Sequence, residues 1–232
     1  MADGPLAVRL GLALVMLLGA SISDLRTRRV PNRYWIPFAA FAGVLWTTDL
    51  AGEPGTRHLE AAAWALGTCG FLYALWYAGL FGGADAKGLM VLAWLWPGVP
   101  DLAAGSITPT FDGLVNGSFL VLAVPVGFLL WNAVRGDLAL PAMLLGVQMG
   151  IDRAESRHVW PMRRVDGDRL RWHYWSRPTD DLTEVYRRLR RHGVKRVWVT
   201  PKLPFMLNLS AGLVLAALAG NVALRLATWL VG

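Results

Sequence analysis

The chain contains long stretches without any charged side chain, and charged segments separate them. Three of them, at 61–84, 113–134 and 203–224, are each at least 22 residues long. A helix that crosses the hydrocarbon core of a bilayer needs about 20 apolar residues. The pattern therefore predicts transmembrane helices rather than a water-soluble core.

Windows poor in charge extend this pattern to six predicted spans. The first two have shorter uncharged cores and are lengthened by charged end residues, among them Arg9 and Asp49. The fourth is the weakest, because its uncharged part, 88–100, is short and includes Pro97 and Pro100. We expect it to be a short helix that is held by its neighbours. The six spans are 6–23, 34–50, 60–81, 86–104, 113–134 and 203–224.

The composition also indicates a membrane protein with several spans. Hydrophobic residues make up 55% of the chain and charged residues 17%, whereas soluble domains have about a quarter charged residues. A single cysteine, Cys69, excludes an intramolecular disulfide and any zinc or iron–sulfur site built on several cysteines. The four histidines follow no metal-ligand spacing, so we expect no metal ion and no other cofactor.

The basic residues predict the orientation of these spans. Cytoplasmic loops of membrane proteins carry an excess of Lys and Arg. With six spans, 20 of the 23 basic residues fall on one side, and fifteen of these lie in the segment 135–202. The other side has Arg9, Arg57 and Arg225. The charge distribution therefore predicts that both termini lie outside and that this segment lies in the cytoplasm.

The later part of that segment has the pattern of a small α+β domain. Residues 165–168 (VDGD) predict a hairpin turn, and alternating apolar residues follow it. Residues 180–191 predict a helix with Thr179 as its cap and Gly193 as its stop. Residues 194–200 (VKRVWVT) predict a strand.

The apolar run 138–151 is too short to span a bilayer, so we expect it to be buried or interfacial. The predicted fold is an all-α polytopic membrane protein with six transmembrane helices and a small α+β cytoplasmic domain before the last helix. The predicted domains are five transmembrane helices in 1–134, the basic cytoplasmic domain in 135–202 and the sixth helix in 203–232.

Two aspartates stand out at the cytoplasmic ends of predicted spans. Asp24 ends the first span, and Asp85 opens the fourth. Taken singly, Asp24 could be a solvated boundary charge and Asp85 a favourable charge at a helix start. A carboxylate at this depth is costly to desolvate unless it faces water or a partner. The matched depth of the two residues therefore favours a shared site.

Such a pair has a specific chemistry. Two neighbouring carboxylates cannot easily both ionise, so one of them keeps its proton. The ionised group can then act as a general base on water, and the protonated group as a general acid on the attacked carbonyl or the leaving amine. Gly82 and Gly83, just before Asp85, would let a substrate backbone approach closely.

Other charged residues have simpler explanations. Lys87 could hold Asp85 ionised, or it could belong to the basic residues that set the orientation. The run 187–191 (RRLRR) resembles a nucleic-acid patch in its charge alone. Beside a membrane, attraction to anionic lipids explains this run more simply. We therefore expect membrane lipids, and not nucleic acid, as partners.

Together these residues resemble the two signatures of type IV prepilin peptidases. The first signature is 24–32 (DLRTRRVPN), and the second is 82–87 (GGADAK). The similarity is closer to the archaeal branch, the preflagellin (archaellin) and prepilin peptidases, which belong to the GxGD class of membrane aspartyl proteases. It extends to the span count, the 61-residue spacing of the aspartates and the basic domain before the last span.

The resemblance implies an aspartic endopeptidase in the cell membrane with its active site on the cytoplasmic side. The implied substrates are preflagellins or type IV prepilin-like proteins, which have a charged leader, a small residue before the cut and an apolar helix after it. The catalytic pair would be Asp24 and Asp85, and the supporting motif would contain Gly82, Gly83, Ala84 and Lys87.

Two features depart from the family pattern. Ala84 replaces the second glycine of GxGD, which is the smallest possible change. Bacterial relatives usually carry a four-cysteine zinc module and also N-methylate the new terminus. This sequence contains Cys69 as its single cysteine, so we expect peptidase activity without N-methylation.

Two alternative activities stay open at this point. A presenilin-like protease would cut inside transmembrane helices, although such proteases carry different motifs around the first aspartate. A transporter could use Asp24 and Asp85 as a proton or cation relay. Transport favours carboxylates near the midplane of the membrane and related halves of the chain, and this sequence has neither feature.

Overall fold

The computed structural model describes residues 3–27, 29–52, 55–102, 104–157, 159–174, 181–201 and 205–231. Helices dominate these residues, and the C-terminal half contains two small sheets. The chain divides into two compact units, one of Met1–Val121 with Pro204–Gly232 and the other of Leu122–Leu203. The elements are α1 (Asp3–Thr27), α2 (Ile36–Gly52), α3 (Thr56–Tyr77), α4 (Gly83–Leu95), α5 (Pro109–Arg135), α6 (Ala142–Leu145), β1 (Val147–Gly150), α7 (Ile151–Glu155), β2 (Val159–Pro161), β3 (Arg163–Asp166), β4 (Arg169–Trp172), α8 (Leu182–Arg191), β5 (Arg196–Pro201), α9 (Phe205–Ala219) and α10 (Val222–Val231).

A helix lies at each of the six predicted spans, although the helices differ in length. Within the described residues, Leu6–Thr27 of α1 and the whole of α5 are long and apolar enough to cross a membrane. The bent pair α9 and α10 is a third candidate if it counts as one broken span. In the described part of the chain, two or three spans therefore pass this criterion, and the count of six spans stays a prediction.

The fourth predicted span is shorter than 86–104. Helix α4 has 13 residues and ends at Leu95, because the residue before a proline avoids the helical conformation and Pro97 follows Trp96. At 1.5 Å per residue α4 is about 20 Å long, which is less than the hydrocarbon core of about 30 Å. It packs against α1, α2 and α3, and Leu89 and Leu92 are fully buried there.

The last predicted span is broken. Helices α9 and α10 meet at an angle of 52° around Gly220 and Asn221, and Gly220 has a φ of +67°. The side chain of Asn116 on α5 compensates for the break, because its Nδ2 donates to the Gly220 carbonyl at 2.9 Å and its Oδ1 accepts from the Val222 amide at 2.9 Å. Free backbone groups at membrane depth need such partners.

Glycines bring α5 and α9 into backbone contact. A Cβ added at Gly212 on α9 would overlap the backbone nitrogen of Gly117 and the carbonyl oxygen of Gly113 on α5. A Cβ at Gly117 would lie 2.9 Å from the Asn208 carbonyl oxygen. Small residues four positions apart are typical of close helix packing in membranes.

A buried ion pair joins three helices at the far end of α1. Arg9 is 2% exposed, forms an ion pair with Asp49 of α2 and donates a hydrogen bond of 2.7 Å to the Leu95 carbonyl of α4. Arg9 precedes Asp24 by 15 residues, which is about 22 Å along a helix. Arg9 and Asp49, which the sequence suggested as charges at span ends, therefore form a contact between packed helices. This contact is remote from Asp24.

The unit Leu122–Leu203 contains both sheets. In the larger sheet the strand order is β1-β5-β2, and both pairs are antiparallel. The hairpin β3-β4 forms the second sheet. The apolar face of α8 supplies Tyr186 and Leu189 to a core that includes Val197 and Val199 of β5.

The predicted hairpin turn and the predicted stop of the helix are confirmed in this unit. The turn at 165–168 joins β3 and β4, and α8 ends before Gly193, which has a φ of +72°. The cap of α8 is Asp181, whose carboxylate accepts hydrogen bonds from the amides of Thr183 and Glu184; the predicted cap, Thr179, lies outside the described residues.

The apolar run 138–151 supplies α6 and β1. Met143 on α6 is buried in a small core with Met162 and Trp198. This run is therefore an internal part of the sheet-containing unit. The predicted division into 1–134, 135–202 and 203–232 stays a prediction.

Candidate functional site

Asp24 and Asp85 lie on neighbouring helices. Asp24 is in the last turn of α1, and Asp85 is in the first turn of α4. Helices α1 and α4 pack against each other, and both aspartates are half-buried. The negative charge of Asp24 acts on the Asp85 carboxyl, so two residues separated by 61 positions in the sequence share one electrostatic environment.

The surroundings of the Asp85 carboxyl favour its protonated form. Asp85 precedes the predicted span 86–104 and lies outside the candidate membrane-spanning helices. Burial, and after it the negative charge of Asp24, raise the pKa of the Asp85 carboxyl to about 6. The Asp85 carboxyl therefore keeps its proton to a higher pH than an ordinary aspartate does. Such a pair can supply an acid and a base together.

Gly82 lets the Asp85 carboxylate lie against the backbone. A Cβ added at Gly82 would lie 2.6 Å from Asp85 Oδ2. A Cβ at Gly83 would instead approach the indole nitrogen of Trp76 at 3.3 Å. Gly82 thus leaves space for the carboxylate, and Gly83 leaves space for the end of α3.

Asp85 also lines a cavity of about 250 Å³. The other lining residues are Leu80 and Phe81 from the α3–α4 connection, Gly82, Ser118 of α5 and Phe205 of α9. The cavity lies within the unit that contains both aspartates. It supplies space for a ligand beside one of the two carboxyls.

The connection from α1 to α2 is fastened to the end of α1. Ser23 Oγ and Thr27 Oγ1 both donate to the Arg29 carbonyl, at 2.8 and 2.9 Å. Farther along, the Tyr34 hydroxyl donates to the Met16 carbonyl at 2.7 Å. These contacts hold the connection close to the turn that carries Asp24.

The same connection also contacts α4. Trp35 is 5% exposed, and a Cβ added at Gly88 would lie 3.2 Å from its ring. Lys87 Nζ donates to Asn32 Oδ1 at 2.7 Å. Residues 32–35 therefore link α1 with the first turns of α4, the two helices on which Asp24 and Asp85 lie.

The structure separates the roles suggested for the motif residues. Lys87 contacts Asn32 rather than serving only as an orientation charge. Ala84 packs at the edge of the main core. Sequence reasoning missed the contact between Trp35 and Gly88. The signals for it in the sequence were a bulky aromatic residue and a glycine within a helix. Among the residues that the structure describes, no group of three or more His, Cys, Asp or Glu could hold a metal ion.

Comparison with known protein families gives two matches. The type IV leader peptidase family matches residues 11–134, which include Asp24, Asp85 and the cavity residues up to Ser118. The archaeal peptidase A24 C-terminus type II family matches residues 139–222. No curated relative matches the chain.

Proposed function

Because the chain belongs to the type IV leader peptidase family, we propose that it is an aspartic endopeptidase that removes the leaders of preflagellins or type IV prepilin-like proteins. Asp24 and Asp85 are its catalytic pair. The observation that carries this proposal is the electrostatic interaction of Asp24 with Asp85 beside a cavity that Asp85 lines. Membership of a peptidase family favours this activity over a transporter that uses the aspartates as a relay.

The surroundings of the Asp85 carboxyl suggest the roles of the pair. Asp24 is the base that takes a proton from water as the water oxygen bonds to the scissile carbonyl carbon. Asp85 is the acid that gives its proton to the carbonyl oxygen. When the C–N bond breaks, Asp24 returns its proton to the leaving amine and the ionised Asp85 takes a proton from one hydroxyl of the tetrahedral intermediate, so that the new carboxyl forms and both aspartates regain their starting states. Each step needs one protonated and one ionised carboxyl.

The proposed active site opens at the cytoplasmic boundary of the cell membrane, and both termini lie outside. This orientation rests on the 20 of 23 basic residues that six spans place on one side. The enzyme then meets a substrate whose charged leader is in the cytoplasm and whose apolar helix is in the bilayer. Cleavage occurs without N-methylation, since the chain has the single cysteine Cys69.

We assign the basic segment 135–202 a role in docking on anionic lipid headgroups. It has fifteen basic and eight acidic residues. Several arginines are already paired within this unit: Arg188 with Glu184, Arg190 with Asp152 and Arg196 with Asp137. Lipid attraction depends on the remaining excess of positive charge.

Replacement of either aspartate tests the catalytic pair. Asp24→Asn and Asp85→Asn should each abolish cleavage of a preflagellin-type substrate by the purified protein, because an amide cannot exchange the proton. Asp168→Asn, on the exposed turn between β3 and β4, is the control and should cleave normally. Substantial turnover by either Asp24→Asn or Asp85→Asn would refute the assignment.

A labelling experiment tests the orientation. Ser156 is exposed after α7, and a Ser156→Cys substitution in a Cys69→Ala background gives the chain one thiol. This thiol should resist an impermeant reagent in intact cells and react after lysis. Labelling in intact cells would place the segment 135–202 outside and contradict the proposed orientation.

A further inference from the structure

A groove with a volume of about 440 Å³ lies between α2 and α3, and it shares no lining residue with the cavity beside Asp85. Both helices pack on α4, and residues of all three helices line the groove. Small residues of α2, Ala39, Ala42 and Gly43, form one wall. A Cβ added at Gly43 would meet no described atom within 4 Å. Ala39 and Gly43 are exposed, so the groove opens to the surroundings of the helices.

One face of α4 forms the floor of this groove. Met90, Val91 and Trp94 line it, and their spacing places them on one side of a helix. Lys87 precedes Met90 by three residues and therefore lies on the same side. Lys87 is exposed. A positive charge thus borders one end of the groove, near the first turn of α4 that contains Asp85.

The side chains that line the groove are either apolar or already hydrogen-bonded. The indole nitrogen of Trp46 donates to the Trp94 carbonyl at 2.9 Å, and Cys69 Sγ donates to the Met90 carbonyl at 3.8 Å. A buried water needs about two to four polar partners, so these side chains do not favour water in the groove. If the groove were empty, its lining atoms would lose dispersion contacts on one side. The occupant that stabilises the groove is therefore apolar.

The dimensions of the groove distinguish between two apolar occupants. Its wall on α2, from Ala39 to Trp46, is about 10 Å long, so a volume of about 440 Å³ corresponds to a mean cross-section of about 40 Å². An α-helix with its side chains is about 10–12 Å wide, which is a cross-section of about 80–110 Å². The groove is therefore too narrow for a helix of a partner or of a second copy, whereas a single hydrocarbon chain is thinner. Its length also fits within one leaflet of a hydrocarbon core that is about 30 Å thick.

We propose that this groove binds one hydrocarbon chain of a membrane phospholipid. Such chains are the apolar molecules that a bilayer supplies, and Lys87 places a positive charge at the end where the phosphate of the headgroup would lie. The bound chain packs against α4 and so supports the helix on which Asp85 lies. This site goes beyond the proposed peptidase function. It depends on the location of α2, α3 and α4 in the bilayer, as the hydropathy of their sequences predicts.

Photolabelling of the full-length protein in lipid nanodiscs tests this site. The probe is a phospholipid with a diazirine in the middle of one acyl chain, and mass spectrometry of the digested protein locates the label. Met90 and Val91 are half-buried in the groove, so a lipid chain reaches them through it. We expect label on this part of α4 in the wild-type protein. Gly43→Leu fills the groove from α2 and should lower this labelling by about tenfold, which corresponds to about 1.4 kcal/mol of lost binding free energy.

A second variant and a matched control accompany Gly43→Leu. Ala39→Leu, at the other exposed position of the same wall, should lower the labelling in the same way. The control is Gly127→Leu on α5, because Gly127 is also exposed and a Cβ there would also meet no described atom within 4 Å. Its α4 should be labelled as in the wild type. Thermal unfolding checks that all variants are folded.

Three results would overturn the lipid site. They are absence of label on α4 in the wild type, undiminished label in both Gly43→Leu and Ala39→Leu, and an equal loss of label in Gly127→Leu. None of these results depends on cleavage of a substrate. The proposed peptidase function is tested separately, by the loss of cleavage in Asp24→Asn and Asp85→Asn.

Discussion

A methyl group at Gly82 should move the proposed acid out of position. Gly82 has φ −66° and ψ 142°, a conformation that alanine adopts freely. A Gly82→Ala substitution therefore introduces no backbone strain, and its effect comes from the added Cβ alone. That Cβ would lie 2.6 Å from Asp85 Oδ2 and 3.5 Å from its Cγ.

The size of the effect follows from the required movement. Ordinary van der Waals contact begins at 3.4 Å, so the carboxylate must retreat by about 0.8 Å from its 2.6 Å separation. A displacement of about 1 Å can cost about 100-fold in rate, which corresponds to about 2.7 kcal/mol of transition-state stabilisation. We expect Gly82→Ala to lower kcat/KM by about this factor while the protein stays folded.

The assay compares cleavage of one preflagellin-type substrate by wild type, Gly82→Ala and Gly11→Ala. A Cβ at Gly11, on α1, would meet no described atom within 4 Å, so this variant controls for the added methyl group. Thermal unfolding in the same detergent checks that all three proteins are equally stable. Activity of Gly82→Ala within twofold of wild type would show that the carboxylate position is not set by this glycine.

Three further changes test the packing and the chemistry. Asp49→Asn should destabilise the protein by about 3–5 kcal/mol, because it leaves the Arg9 charge buried without its partner. Unfolding experiments check this reason with an Arg9→Met/Asp49→Leu double variant. The reason is contradicted if the double variant is no more stable than Asp49→Asn. Gly212→Ala should lower the free energy of unfolding by about 1–3 kcal/mol through overpacking against α5. The control Gly127→Ala, whose Cβ would meet no described atom within 4 Å, should be neutral or stabilising by up to about 1 kcal/mol. Equal melting temperatures of the two variants would refute the glycine contact. In the proposed mechanism, kcat/KM should fall as pH rises through about 6, because Asp85 then loses the proton that it donates; a flat profile between pH 5 and 8, with chemistry shown to limit the rate, would exclude this role.

The hydropathy of the sequence predicted where the helices lie, because the segregation of apolar and charged residues is a local property of the chain. It also predicted a short fourth helix, which Pro97 ends at Leu95, but it did not predict the bend at Gly220. A glycine signal was present there, but whether a helix bends or continues at a glycine depends on partners elsewhere in the chain. At the bend, Asn116 of α5 supplies those partners, and sequence spacing does not show that this side chain is available.

The candidate aspartates were found from the sequence because their chemistry, depth and neighbouring residues are all visible along the chain. Their proximity was decided by tertiary packing. Tyr34 contacts α1 through Met16, and Trp35 packs on Gly88 of α4, so residues outside the proposed catalytic pair join the two helices on which Asp24 and Asp85 lie. The same holds for Arg9, which hydropathy treats as a tolerated end charge and the fold buries with Asp49. Local sequence determines which groups are present at each depth, whereas contacts between helices determine which of these groups meet, because those contacts join residues that are far apart in the chain.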